Sequence, residues 1–497
     1  MNIHVAEPHR PDTLARLTDR RLFRELAYVD GKWTSGPNGA SFTVTDPATG
    51  DVVANVAELG AVDAESAIDA AWLAFPSWRD KTAGERSQVL RRWHDLIVAA
   101  RFDLAVLMVR EQGKPLAEAL GEIDYAASFV ERFGEEARRL NVESVTSHLP
   151  GAEMSVRREP LGVVAVVTPW NFPSAMLTRK VAAALAAGCT VVAHPASETP
   201  LSALALAELA DRAGLPAGVL NIVTGPAAEI VGAFTADARV RAVSFTGSTE
   251  IGRLIAANSA PTIKRLVLEL GGHAPFIVFD DADLDKAVDL AVKAKFATSG
   301  QDCLAANRIY VQRPLYEPFV QAFAKRVAAM KVGPGFEDGV EIGPLMHARA
   351  IAKVEAHVAD AVEGGARLLA GGTSHPAGAL FYRPTVLADV SDDALIMNEE
   401  TFGPVAAVSA FDSEEEIVTR ANATEYGLVA YLVTDDYRRI SRMGRALEYG
   451  MVAVNRVKIT GPAIPFGGVK QSGIGREGSR HGIEAFTDLK YICLDVA

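Results

Sequence analysis

Leu161-Gly162-Val163-Val164-Ala165-Val166-Val167-Thr168-Pro169-Trp170-Asn171-Phe172-Pro173-Ser174 is the stretch whose reading decides the fold. Residues 163–168 are apolar or β-branched without a break, a Pro-bounded turn follows, and a helical pattern opens at Ser174. A strand this apolar has no side suited to water, so it belongs in a parallel sheet covered on both faces. The alternation continues with strands predicted at 190–193, 219–223, 242–246 and 265–270, separated by helices from Pro200, Ala227 and Thr249. That pattern predicts a doubly wound α/β sheet, which binds ligands beyond the carboxyl ends of its strands. The residues at those ends are Pro169-Trp170-Asn171, His194-Pro195-Ala196-Ser197, Thr224-Gly225, Gly247-Ser248 and Gly271-Gly272.

Working outward, a second alternating region spans about 274–461. It has a strand at 276–279, an Asp-rich helix start at Asp280-Asp281-Ala282-Asp283, a helix leading to Cys303, and helices near 315–331 and 346–364. A strand is predicted at 451–454. The Asp cluster reads as helix capping plus a solvated face, with no metal expected. A glycine-rich return follows (Pro465-Phe466-Gly467-Gly468 and 473–478), and then a terminal strand at 489–494.

Toward the N-terminus, residues 1–25 read as a loose arm, followed by strand-and-turn segments at 28–33 and 42–50. Helices are predicted from Asp63 to Trp78, from the capping box Thr82–Glu85 onward to Gly113-Lys114-Pro115, and then to about Leu140. Val89, Leu90, Trp93, Leu96 and Ile97 mark the buried face of the second. Residues 143–158, around Leu149-Pro150-Gly151, read as a hairpin that is either a plain surface feature or an oligomer contact.

At 497 residues the chain is too long for one core, so two or three domains are expected. A net charge of −12 argues against a nucleic-acid surface. Three scattered cysteines, Cys189, Cys303 and Cys493, are too few for a disulfide framework and point to a reducing, cytoplasmic setting. Met1 to Arg24 lacks the apolar core of a signal peptide, and no run reaches the roughly 18 apolar residues of a membrane span.

Two carboxyl-end features bear on chemistry. Glu269 ends an apolar strand, where a carboxylate is costly unless used or paired, and burial there would raise its pKa toward neutrality. The turn Gly247-Ser248-Thr249-Glu250-Ile251-Gly252 opens a helix whose N–H groups suit phosphate, although such turns are common. Cys303, in Gly300-Gln301-Asp302-Cys303, is by itself weak evidence for a nucleophile, since a lone intracellular cysteine is more often an inert small apolar residue.

Taken together, six segments resemble the aldehyde dehydrogenase superfamily, closest to its succinate-semialdehyde dehydrogenase branch. They are Pro169-Trp170-Asn171-Phe172-Pro173, Phe245-Thr246-Gly247-Ser248, Leu268-Glu269-Leu270-Gly271-Gly272, Gly300-Gln301-Asp302-Cys303, Glu400-Thr401-Phe402-Gly403-Pro404 and Pro465-Phe466-Gly467-Gly468. Residues 202–210 and 276–283 read like that branch. The resemblance implies an aldehyde dehydrogenase-like fold of two doubly wound parallel-sheet domains plus a small β oligomerisation arm. Residues 20–141 and 160–270 would form the dinucleotide-binding domain and 271–462 the catalytic domain. Residues 142–159 and 484–497 would form the arm and terminal strand, with 463–483 as the return segment. A homodimer or homotetramer is implied, since exposed strand edges need a partner.

It also implies that Cys303 attacks the aldehyde, that Asn171 and the Cys303 N–H hold the oxyanion, and that Glu269 activates water. Lys180 and Glu477 would serve proton transfer. NAD or NADP would be held by Thr168, Pro169, Trp170, His194, Ser197, Gly225, Phe245, Gly247, Ser248, Ile251, Leu270, Glu400 and Phe402. The substrate would meet Arg179, Phe172, Gln301 and Phe466.

There are departures from the family pattern. His194 stands where a lysine is usual, and Ser197 where NAD-preferring members often carry a glutamate; the two point opposite ways on NAD against NADP. Ala297 replaces an arginine that the semialdehyde branch uses on a distal carboxylate. Ala305 removes the second cysteine of a regulatory disulfide. The expected reaction is NAD(P)-dependent oxidation of an aldehyde, succinate semialdehyde or a relative, to a free acid. The alternatives are a neutral, longer or sugar-derived aldehyde, a CoA-acylating transferase, and a non-catalytic binding protein.

Overall fold

The computed structural model describes residues 10–496, so residues 1–9 of the predicted N-terminal arm and Ala497 of the terminal segment lie outside the described residues. Two large sheets carry the architecture. The first has eight strands, with Arg265–Glu269, Val240–Thr246, Val163–Thr168, Thr190–Pro195 and Leu220–Ile222 adjacent in that order and all parallel. Short antiparallel strands close both edges: Gly473–Ile474 beside Arg265–Glu269, and the hairpin Ala27–Val29/Lys32–Thr34 at the far side. The register lines up the carboxyl ends, pairing Val167 with His194, Thr168 with Pro195 and Thr246 with Glu269.

The second sheet has seven strands. Thr385–Ala388, Val405–Phe411, Ala306–Gln312, Ala274–Val278, Val429–Val433 and Met451–Val454 are parallel neighbours, with Arg367–Ala370 antiparallel at one edge. In both sheets the central strands are buried along their whole length, which is why their sequences show no polar alternation. Glu143–Val145, Ala152–Pro160 and Thr487–Asp495 form a separate three-stranded sheet, the last strand lying at its edge over nine paired positions.

The structure differs from expectation in two places. The predicted loose arm contains helices Arg10–Arg16 and Arg20–Leu22, and Leu17 and Leu22 are buried in the core of the first sheet. The Asp103 carboxylate secures it by accepting from the backbone N–H groups of Thr18 and Asp19 at 2.9 and 2.8 Å. The second predicted helix is two, Ala83–Ala99 and Arg101–Gln112, broken at Ala100 where φ is −91° and ψ 10°. The Asp-rich segment behaves as a cap: Asp283 accepts from the Lys286 N–H, and Asp281 from Thr434 and the N–H groups of Asp435 and Asp436.

Candidate active site

Cys303 lies just before the central strand Ala306–Gln312, at the end of an unusual turn. Helix Leu284–Phe296 stops, and Thr298 and Ser299 then take φ of 50° and 58°, conformations that cost a non-glycine residue about 1 kcal/mol or more each. Their neighbours maintain the turn. The Glu118 carboxylate accepts from the Thr298 N–H at 3.1 Å, and the Ser299 hydroxyl donates to the Gly343 carbonyl at 3.0 Å. On the other side, Gly272 approaches so closely that a Cβ there would collide with the Cys303 carbonyl oxygen.

Asn171 reaches the same loop from the first sheet. It is buried in the turn between strand Val163–Thr168 and helix Pro173–Ala187, and its Nδ2 donates to the Gln301 carbonyl at 3.0 Å. Its Oδ1 has no partner. Gln301 itself is a strut: Oε1 accepts from the Met346 N–H at 2.9 Å, and Nε2 donates to the Pro344 and Thr298 carbonyls. The Gln301 side chain, expected at the substrate, is therefore fully engaged inside the loop, because a turn this strained needs internal hydrogen bonds.

Glu269 sits at the carboxyl end of its strand, buried, with neither carboxylate oxygen hydrogen-bonded. Burial, with the nearby Glu477 carboxylate, pushes its pKa up to about 8, against the pull of Arg179, Lys180 and Arg476. The return segment builds this wall. The Phe466 and Glu477 backbones exchange two 2.8 Å hydrogen bonds, Leu270 N–H donates to the Ser472 carbonyl, and a Cβ on Gly467 would press on Glu269 Oε1. Glu477 in turn pairs with both Arg179 and Lys180, and those two cations outweigh burial to hold its pKa low. Lys180 also donates to Thr246 Oγ1 at 2.6 Å, and burial lowers its pKa.

Arg179 is buried, with its guanidinium 4.3 Å from the centre of the Phe466 ring. The Cys303 thiol is held far above its usual pKa by burial and by the carboxylates of Asp302, Glu269 and Glu400, with Arg179 opposing. These surroundings favour the neutral thiol over the thiolate. Asp302, immediately before it, was not singled out in the sequence, where it read only as a polar neighbour.

The expected cofactor residues gather beyond the first sheet. Thr168 and His194 are buried at strand ends, and the His194 Nδ1–H donates to the Val223 carbonyl at 2.9 Å; burial lowers its pKa, so it is neutral. Pro169 is half-buried beside Thr168. The Ser197 hydroxyl donates to the Gly225 carbonyl at 3.4 Å. Ser248 caps helix Thr249–Ser259 by accepting from the Ile251 N–H, with Gly247 packed on the buried Phe245 and Gly252 on the buried Leu270; Ile251 is exposed. From the second sheet, Glu400 Oε1 accepts from the Gly272 N–H at 2.9 Å, and burial raises its pKa to about 7. Phe402 stands edge-on to Trp170, ring centres 5.5 Å apart. Phe172 packs under the Lys114 ammonium at 4.2 Å.

Position 297, where an arginine was expected, is an exposed alanine. The sequence reading also missed Lys114, Glu118 and Glu122. Their signal was available: three charged residues four apart at the start of an otherwise apolar helix face. Glu198, beside Ser197, was missed too; it pairs with His347 at 3.0 Å, joining the two sheets' loops. Among the described residues no helix is long and apolar enough to cross a membrane, and no cluster of His, Cys, Asp or Glu is arranged to hold a metal.

The aldehyde dehydrogenase family profile matches residues 33–492. A glutarate-semialdehyde dehydrogenase of Pseudomonas aeruginosa is 52% identical over 479 residues, covering 96% of this chain and 99% of the relative. The succinate-semialdehyde dehydrogenase [NADP(+)] GabD of Escherichia coli K12 is 51% identical over 479 residues, covering 96% and 99%. The crystal structure of succinate-semialdehyde dehydrogenase from Burkholderia pseudomallei superposes with a TM-score of 0.96 at 50% identity, over 97% of this chain and all of that one. With the profile spanning nearly the whole chain and half of its residues shared with these relatives, the chain belongs to the aldehyde dehydrogenase family.

Proposed function

We propose that this enzyme oxidises a short semialdehyde to the free dicarboxylic acid with NAD or NADP, through a thioester on Cys303. The observation that carries the hydrolytic step is the buried Glu269 carboxyl with both oxygens unpartnered. A carboxylate left unsatisfied in such a place costs several kcal/mol unless it has work to do. Its pKa near 8 suits a general base close to neutral pH. A CoA-acylating enzyme has no use for such a base.

The chain's own residues divide the work. The Cys303 thiol gives its proton to solvent as the sulfur adds to the carbonyl carbon, which leaves Glu269 free for the second step. The Asn171 amide and the Cys303 N–H face the developing oxyanion, a contribution worth roughly 10²–10³ in rate per donor. Hydride expulsion re-forms the carbonyl as a thioester; the nicotinamide, when bound, supplies the hydride acceptor. Glu269 then deprotonates water, the hydroxide adds to the thioester carbonyl carbon, the C–S bond breaks with the Cys303 thiolate as leaving group, and the acid leaves. The Lys180–Glu477 pair offers the route by which the proton departs.

The residues present fit a dinucleotide. Ser248 opens a helix N-terminus toward a diphosphate, Glu400 presents a carboxylate for ribose hydroxyls, and Trp170 and Phe402 meet edge to face beside them. His194 is neutral and turned into the sheet, and Ser197 carries no charge to repel a 2′-phosphate, so both cofactors are expected to work.

The substrate reading rests on Arg179 with Phe466, and on relatives named for semialdehydes. A second reading, a neutral or longer aldehyde, is favoured by the Arg179–Glu477 pair, which already balances that charge, and by the uncharged Ala297. A panel of four- and five-carbon ω-carboxy aldehydes against neutral aldehydes of equal length, run with both cofactors, separates them. The proposal expects at least tenfold higher kcat/KM for the ω-carboxy compounds; equal values support the neutral reading.

A homo-oligomer is proposed on the edge strand Thr487–Asp495. Leu489 is 62% and Tyr491 55% exposed on it, and a strand at a sheet edge that exposes large apolar side chains invites another strand. Light scattering at micromolar concentration is expected to give a multiple of 52.8 kDa, and a mass of 52.8 kDa would refute this.

A further inference from the structure

The tight turn Gly113-Lys114-Pro115 and the start of helix Leu116–Glu136 that follows it place Lys114, Glu118 and Glu122 at four-residue spacing. Each is committed to one half of the site. The Lys114 ammonium donates to the Asn171 carbonyl at 2.7 Å and pairs with Glu122 Oε2 at 2.5 Å, both side chains only 1% exposed. Glu122 Oε1 accepts from the Ser174 and Ala175 N–H groups at 3.0 and 3.2 Å, capping the helix that follows Asn171. Glu118, one turn along from Lys114, holds the N–H of Thr298 in the strained turn before Cys303. A helix cap accounts for Glu122, and the need to neutralise Glu122 accounts for a nearby cation. Neither calls for the ammonium's second bond, to the backbone of the one residue whose amide faces the cysteine loop. Neither calls for Glu118 to reach across to the other sheet.

We propose that Lys114 and Glu118 are positioning residues that hold the Asn171 amide and the Cys303 loop at a fixed separation, so that the oxyanion donors are in place before substrate arrives. The inference rests on the reading of Asn171 as an oxyanion donor. Pre-placed donors need no reorganisation during the reaction, and misplacing one by about 1 Å can cost on the order of 10²-fold. The buried pair is the means rather than a source of stability, since desolvation offsets most of what such pairs gain.

The test is the rate of the first turnover, followed as reduced cofactor, in K114M, E118A, N171A and the K114M/N171A double variant. The alkylation rate of Cys303 by iodoacetamide is measured alongside, because alkylation forms no oxyanion and a merely disordered site would change it. K114M is expected to slow the first turnover about 10–100-fold with KM and alkylation within twofold of wild type. The double variant is expected to be no more than about threefold slower than N171A. A K114M rate within twofold of wild type while N171A is slow overturns the inference alone, as does a K114M effect that multiplies in full on N171A. N171A at the wild-type rate overturns the oxyanion reading and this inference with it. If K114M is not recovered folded by circular dichroism, E118A and E118A/N171A carry the same comparison with the same outcomes.

Discussion

Cys303→Ala is expected to abolish aldehyde-dependent cofactor reduction, by at least roughly 10⁴-fold, the scale on which removal of a nucleophile acts. The cofactor affinity, read by fluorescence titration of the reduced dinucleotide, should stay within about threefold, since no cofactor contact is assigned to the sulfur. An aldehyde gives up hydride only reluctantly while trigonal, and the tetrahedral adduct with sulfur is what makes the transfer easy. No neighbouring group can substitute. Asp302 and Glu269 are carboxyl groups whose pKa values burial raises, and Lys180 is tied to Glu477 and Thr246. Serine in place of alanine should do little better, because the surroundings that hold the Cys303 thiol protonated would disfavour an alkoxide even more.

The second large effect is expected from Glu269→Gln, and it should fall on a different step. The steady-state rate should drop roughly 10²–10³-fold, the range of general base catalysis, while a burst of about one reduced cofactor per site remains as acyl-enzyme accumulates. A distinct pH dependence follows. The base works deprotonated, and burial raises the Glu269 pKa to about 8. Where hydrolysis limits turnover, the wild-type rate should therefore rise about tenfold per pH unit below 8 and level off above it. That limb should vanish in E269Q. A wild-type profile that is flat from pH 6 to 9, with turnover limited by hydrolysis, would contradict the assignment.

How much of this was legible in the sequence depends on how local the signal is. The central strands announced themselves because burial on both faces removes all polar alternation, so 163–168 and the strands after it could be placed within a residue or two. Glu269 was legible for the same reason: a carboxylate closing an apolar strand stands out. Asn171, Glu400 and Cys303 were not legible from spacing alone and came from resemblance of the motifs around them. The N-terminal segment misled because a seven-residue helix is too short to show a convincing period, while Leu17 and Leu22 find their core only in three dimensions. Gln301 misled for a subtler reason. Its motif contains Cys303, but its side chain serves the strained turn before it. Lys114 and Glu118 show the limit most clearly. As sequence they are two charges around the start of an amphipathic helix; only the fold places them against Asn171 and Thr298, residues 57 and 180 positions away.

The central claim is that the acyl group rests on Cys303 between hydride loss and hydrolysis. Intact-protein and peptide mass spectrometry of E269Q, quenched in acid within the first turnover with a four-carbon semialdehyde and NADP, tests it most directly. The account predicts a mass increase equal to the acyl group, confined to the peptide containing Cys303 and absent without cofactor. Stoichiometric NADPH formation with no adduct on that peptide, or with the adduct elsewhere, would contradict it.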